Sequence, residues 1–149
     1  MPDASELKRR ANEDFAAKRF AEATQKYRAA IKADGRQPLF WSNLSAALFE
    51  QGSYGECQAA VSDALGRFTG DKLPAMPQPQ AAKMASRALR SAVWQCDLES
   101  AEAWLDHGAF APHQAGQDEN VRFCAATRPV HACLSRRAHS RAHRVVHCA

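Results

Sequence analysis

Two cations four residues apart, Lys83 and Arg87, stand in the stretch AAKMASRALR, residues 81–90, which otherwise reads as a helix of small residues. On a helix that spacing stacks both charges on one face, which costs about 0.2–0.5 kcal/mol unless an anion is meant to sit there. A second pair, Lys8 and Asn12, repeats the spacing in LKRRAN, and a further amide, Asn43, falls in FWSNLSAALF. This is chemistry for holding an anion. No phosphate loop, framed nucleophile–base pair or credible pair of carboxylates accompanies it, so neither an enzyme nor a cofactor is expected.

The other chemistry-bearing types crowd into residues 113–149, which hold 5 of the 6 histidines and 3 of the 5 cysteines. His139, His143 and His147 fall at i, i+4 and i+8, with Cys124, Cys133 and Cys148 nearby. Finger-type zinc sites start from two cysteines two to four residues apart, whereas eight residues separate Cys124 from Cys133; no metal site is expected. An arginine-rich segment that clings to RNA is an alternative, but no Phe, Tyr or Trp follows Phe123 to stack on bases. The composition suits disorder, or an out-of-frame gene end.

The net charge of +4 lies wholly in that tail: residues 1–112 carry 14 basic and 14 acidic side chains, and residues 113–149 carry 6 arginines and 2 acids. At 149 residues the chain can hold one modest core. No run is long and apolar enough for a membrane span, and MPDASELKRR lacks the features of a secretory signal, so a cytoplasmic address is expected. An odd number of cysteines, two of them (Cys57 and Cys96) in helical patterns, argues against a disulfide framework.

What must position the anion-binding residues is a repeat. Phe20/Tyr54, Ala23/Cys57, Tyr27/Val61 and Ala30/Ala64 alternate large and small at an offset of 34. The pattern returns at an offset of 44 with Leu98, Ala101, Leu105 and Gly108, the extra ten residues falling in the Pro/Gly-rich stretch GRFTGDKLPAMPQPQ. Each unit divides into two helices, about 4–17 and 20–32, 38–51 and 54–65, and 81–95 and 98–107. Asp3/Glu6 and Ser53/Glu56 have capping-box spacing, and Asp97 is a candidate N-cap. The fold class is all-α: a solenoid of three repeats at about 4–37, 38–66 and 80–110, with an insertion at 66–80. Small residues let helices approach, large ones fill the gaps, and the first helices line a common groove.

The 34-residue helix-turn-helix unit resembles the tetratricopeptide repeat over residues 4–108. Within the groove the set Lys8, Asn12, Asn43, Lys83 and Arg87 is similar, position by position, to the dicarboxylate clamp of tetratricopeptide co-chaperones, and the words ELK..AN, SN.SAA and K..SR match as well. The resemblance implies a non-enzymatic adaptor that grips the acidic C-terminal peptide of heat-shock chaperones of the 70- or 90-kDa class. Phe15 and Ala46 would then receive the apolar part of the peptide. A repeat scaffold for another partner, or a fragment of a larger protein, is the alternative.

The chain departs from the family pattern at Asp14, Ala11, Leu44 and Glu50, and Glu50 is expected to weaken an acidic ligand. Only the short segment 118–128 could supply the terminal cap that repeat arrays use, so the third repeat is expected to be marginal.

Overall fold

The computed structural model describes residues 3–69, 73 and 75–107. Six helices follow one another: α1 (Ala4–Ala16), α2 (Phe20–Ala33), α3 (Pro38–Gln51), α4 (Tyr54–Phe68), α5 (Gln78–Trp94) and α6 (Leu98–Leu105), with no strand among the described residues. Gly108 and the tail 113–149 lie outside them, as do the histidine and cysteine patterns of the tail. No described helix is long and apolar enough to cross a membrane.

Each helix packs on the next, α3 also packs on α5, and a side-chain hydrogen bond joins α3 to α1, so the odd-numbered helices form one layer. The even-numbered helices form the second, bridged by the Arg28–Glu56 ion pair between α2 and α4 and by Trp104 Nε1 donating to Gln58 Oε1 at 3.2 Å between α6 and α4. The small residues of the repeat make this close stacking possible: Ala23, Ala30, Cys57, Ala64 and Ala101 are all buried. Tyr27, Trp41 and Leu48 fill the space between hairpins, while Phe20, Tyr54 and Leu105 are only half-buried. From α5, Met84 and Leu89 are fully enclosed.

The turn inside each hairpin is built the same way three times. Lys18, Gly52 and Cys96 have φ of 59°, 81° and 56°, and they stand 34 and 44 residues apart, the offsets of the repeat itself. In each, the following amide reaches back five residues: Arg19 N to Asp14 O, Ser53 N to Leu48 O and Asp97 N to Ala92 O, at 2.8–2.9 Å. These bonds close the orphan carbonyls at the helix end, the usual use of a left-handed residue there. Only the middle turn uses glycine; lysine and cysteine hold this backbone at a cost of roughly 1–2 kcal/mol each.

The helix starts differ from the capping-box expectation. Neither Asp3 nor Ser53 makes a side-chain cap bond. Their partners are drawn elsewhere by charge: Glu6 accepts from Arg9 and Arg10, and Glu56 pairs with Arg28. Asp97 does cap α6, accepting from Ser100 N at 3.1 Å. The segment joining the second and third hairpins is also shorter than the sequence predicts, because α4 continues to Phe68, whose ring is buried, and α5 starts at Gln78.

Candidate anion-binding site

The anion-binding candidates are carried by the odd-numbered layer. On α1, Lys8 is half-buried and Asn12 exposed; on α3, Asn43 and Ala46 are half-buried; on α5, Lys83 is exposed and Arg87 half-buried. Two contacts tie the three helices together at this level. Asn43 Nδ2 donates to Asn12 Oδ1 at 3.3 Å, joining α3 to α1. Arg87 Nη1 donates to the Ser42 carbonyl at 3.2 Å and to the Ser45 hydroxyl at 3.2 Å, joining α5 to α3, with Ser42 Oγ at 3.5 Å. Lys83 shares the Arg87 face by its four-residue spacing, and Lys8 shares the Asn12 face in the same way.

Arg87 is the electrostatic centre. Burial pulls its pKa below the ordinary arginine value, with the nearby Arg90 charge adding to that effect and Cys57 and Glu50 opposing it. Arginine does not lose its proton in proteins, so the outcome is a partly desolvated cation. Its named partners are neutral oxygens, which satisfy N–H groups without cancelling charge. Lys8, Lys83 and Arg87 join none of the ion pairs among the described residues, all six of which involve Arg9, Arg10, Arg19, Lys26 or Arg28.

Three supporting residues escape a reading of the sequence. Tyr27 donates its hydroxyl to Asn12 Oδ1 at 2.6 Å, and burial pushes its pKa up to about 12, so it remains a donor. With both Tyr27 and Asn43 donating to that oxygen, the Asn12 amide nitrogen is left to donate elsewhere. The alternation of large and small residues marks Tyr27 as core, and nothing in it discloses the hydroxyl's target. Ser42 and Ser45 seat Arg87; their only signal is a pair of serines three apart in a helix that is otherwise largely apolar. Beneath them Cys57 donates from Sγ to the Ser45 carbonyl at 3.3 Å, its thiol pKa raised chiefly by burial.

Phe15 is half-buried, packs against the main core and meets Phe20 edge-on with centroids 5.4 Å apart. Beside α1, Lys8 lines a hollow of about 430 Å³ together with Asp3, Ser5, Asp34, Leu39 and Phe40. No group of three or more metal-ligating side chains occurs among the described residues.

Three stacked hairpins, each turning through a left-handed residue at the same place and each contributing its first helix to one layer, make up a tetratricopeptide-repeat fold. Known structures of that fold superpose on the chain. It is similar to the N-terminal domain of stress-induced protein-1 (STI-1) from C. elegans, with a TM-score of 0.67 and 24% identity over 80% of this chain and 94% of that one. The Arabidopsis OM64 TPR domain matches with a TM-score of 0.64 and 17% identity, covering 86% of this chain and 95% of that one. The TPR2AB domain of yeast Sti1, in complex with pHSP90, matches at 0.66 and 17%, covering 93% of this chain and 50% of that one. No family model and no curated protein matches the sequence. At these identities the likeness carries the fold.

Proposed function

We propose that this chain is a non-enzymatic protein-interaction adaptor, a cytoplasmic co-chaperone module that binds the acidic C-terminal peptide of heat-shock chaperones of the 70- or 90-kDa class. Lys8, Asn12, Asn43, Lys83 and Arg87 form its two-carboxylate clamp, and Phe15 and Ala46 receive the apolar part of the peptide. The observation that supports this most strongly is Arg87: a partly desolvated cation held by Ser42 and Ser45, beside joined amides, with no acid of its own. The yeast Sti1 domain of the same fold is a complex with pHSP90, which supports the choice of partner.

A chain ending in aspartate offers two carboxylates within a few ångströms, which call for several donors that bring no acceptor. Lysine supplies a movable point charge, arginine a flat two-pronged donor, and the asparagine amides reach carboxylate or peptide groups without adding repulsion. Each charge-assisted bond contributes about 1.5–3 kcal/mol. Three or four of them, less the cost of ordering a flexible peptide, correspond to about 8 kcal/mol, or a dissociation constant of about 1 μM.

Titration of a fluorescent peptide ending in Glu-Glu-Val-Asp against the full chain, Lys8→Ala, Arg87→Ala and a variant lacking 113–149 tests the proposal. Both substitutions are expected to weaken binding at least tenfold, and removal of the tail to leave it intact. Unchanged affinity in both substituted proteins overturns the clamp.

A further inference from the structure

The basic stripe on α5 does not stop at Arg87. Arg90 follows one turn later, and the intervals Lys83, Arg87, Arg90 keep all three on one helical face. The Arg90 guanidinium lies over the ring of Phe49 on α3, 4.7 Å from its centroid. Phe49 in turn meets Tyr54, with centroids 5.5 Å apart, so the ring beneath the cation is itself braced. The same two helices therefore meet in two rungs: Arg87 on Ser42 and Ser45, then Arg90 on Phe49.

A guanidinium stacked on a ring uses its flat face and keeps its N–H edges for hydrogen bonds. Among the described residues those edges have no taker: Arg90 donates no hydrogen bond and joins no ion pair, and the Phe49 ring is its one specific contact. Glu50 on α3, whose charge Arg87 feels, is exposed and outside every ion pair among the described residues. Three residues of helix advance about 4.5 Å, whereas an extended peptide advances about 3.3 Å per residue. A peptide leaving the clamp toward Arg90 thus passes it within about two residues.

We propose that Arg90 is a third carboxylate receptor, selecting C-terminal peptides that carry an acidic side chain shortly before their last residue. The inference rests on the clamp and extends it. Continuity with Arg87, a pre-oriented guanidinium edge and complementary charge fix the occupant as an acidic peptide segment of a partner protein.

The test compares two peptides, one ending in Glu-Glu-Val-Asp and one in Gln-Gln-Val-Asp, on the full chain and on Arg90→Ala, Arg90→Lys and Arg28→Ala, with helix content and melting checked for each. The full chain should bind the glutamate peptide about five- to tenfold more tightly. That ratio should fall to about one in Arg90→Ala, take an intermediate value in Arg90→Lys, and persist in Arg28→Ala, which removes the same charge from the other layer. A ratio retained in Arg90→Ala overturns the inference, as does one lost equally in Arg28→Ala, since a diffuse field then explains it. Equal binding of both peptides that Arg87→Ala still weakens rejects Arg90 alone. Binding of neither peptide rejects the clamp and Arg90 together.

Discussion

The paired cations of the first hairpin and the cations of α5 live in opposite circumstances. Arg9 is shared between Glu6 and Glu13, Arg10 joins Glu6, Arg19 and Lys26 both hold the buried Asp14, and Arg28 crosses to Glu56. Lys83, Arg87 and Arg90 have no acid in any of these pairs, and Arg87 is seated on serine oxygens instead. The Arg19–Asp14, Lys26–Asp14 and Arg28–Glu56 pairs tie one segment to another, and a cation without an internal counter-charge is available to a ligand. The fold thus spends its acids on structure in the first hairpin and withholds them from the third first helix.

Exchanging one cation from each region gives the largest contrast. Arg87→Ala should weaken peptide binding at least tenfold and change melting little, because Ser45 Oγ keeps its own bond to the Ser42 carbonyl at 2.8 Å. Arg19→Ala should leave the peptide affinity unchanged and lower the melting temperature, since Asp14 is nearly enclosed and keeps only Lys26. Calorimetry of both variants alongside peptide titration checks the pair.

Acid separates the regions next. The Glu6 carboxyl is held down to about 2 by Arg9 and Arg10, and Asp14 is held below its ordinary value by Lys26 and Arg19. A depressed carboxylate stabilises the fold fully above its unfolded pKa, about 4, and loses that contribution as pH falls toward the folded value. Melting should therefore be insensitive to these groups from pH 7 to about 5 and decline from about pH 4 toward 2. Asp14→Asn should flatten the decline. The groove arginines do not titrate, so loss of peptide affinity over that range tracks the ligand's own carboxylates.

Much of this was legible in the residues and some was not. The offsets 34 and 44 place α2, α4 and α6 because close packing needs small residues at fixed places, and Ala23, Cys57 and Ala101 are buried where that pattern puts them. The same offsets relate Lys18, Gly52 and Cys96, yet only glycine announces a left-handed turn, so two of the three are silent in the sequence. In each capping box the glutamate that would reach back to the cap amide, Glu6 or Glu56, is held by arginines that spacing rules for caps ignore. In the site, the donors stand out by type and spacing. Tyr27, Ser42 and Ser45 do not, since what a buried hydroxyl faces depends on a helix remote in sequence. Arg90 is invisible for the same reason: its distinguishing feature is the ring of Phe49.

Smaller effects sharpen the contrast. Glu50→Gln removes the acid whose charge Arg87 feels and should tighten an acidic peptide about two- to threefold, with no change in melting. The three matched turns offer the mildest test. A Cβ at Gly52 meets nothing within 4 Å, so Gly52→Ala isolates the backbone cost and should lose about 1 kcal/mol by chemical denaturation. Cys96→Gly should gain about 0.5 kcal/mol, the relief of strain being partly offset by a more flexible unfolded chain.

The convergence of donors from α1, α3 and α5 on one doubly charged chain end is tested most directly with a single chemical change in the ligand. The dissociation constants of a Glu-Glu-Val-Asp peptide and its C-terminally amidated twin differ only through the terminal carboxylate. Amidation should weaken binding to the full chain at least tenfold and make little further difference once Lys8 or Arg87 is replaced by alanine. Equal affinity for the two peptides would show that the chain end is not what these residues hold.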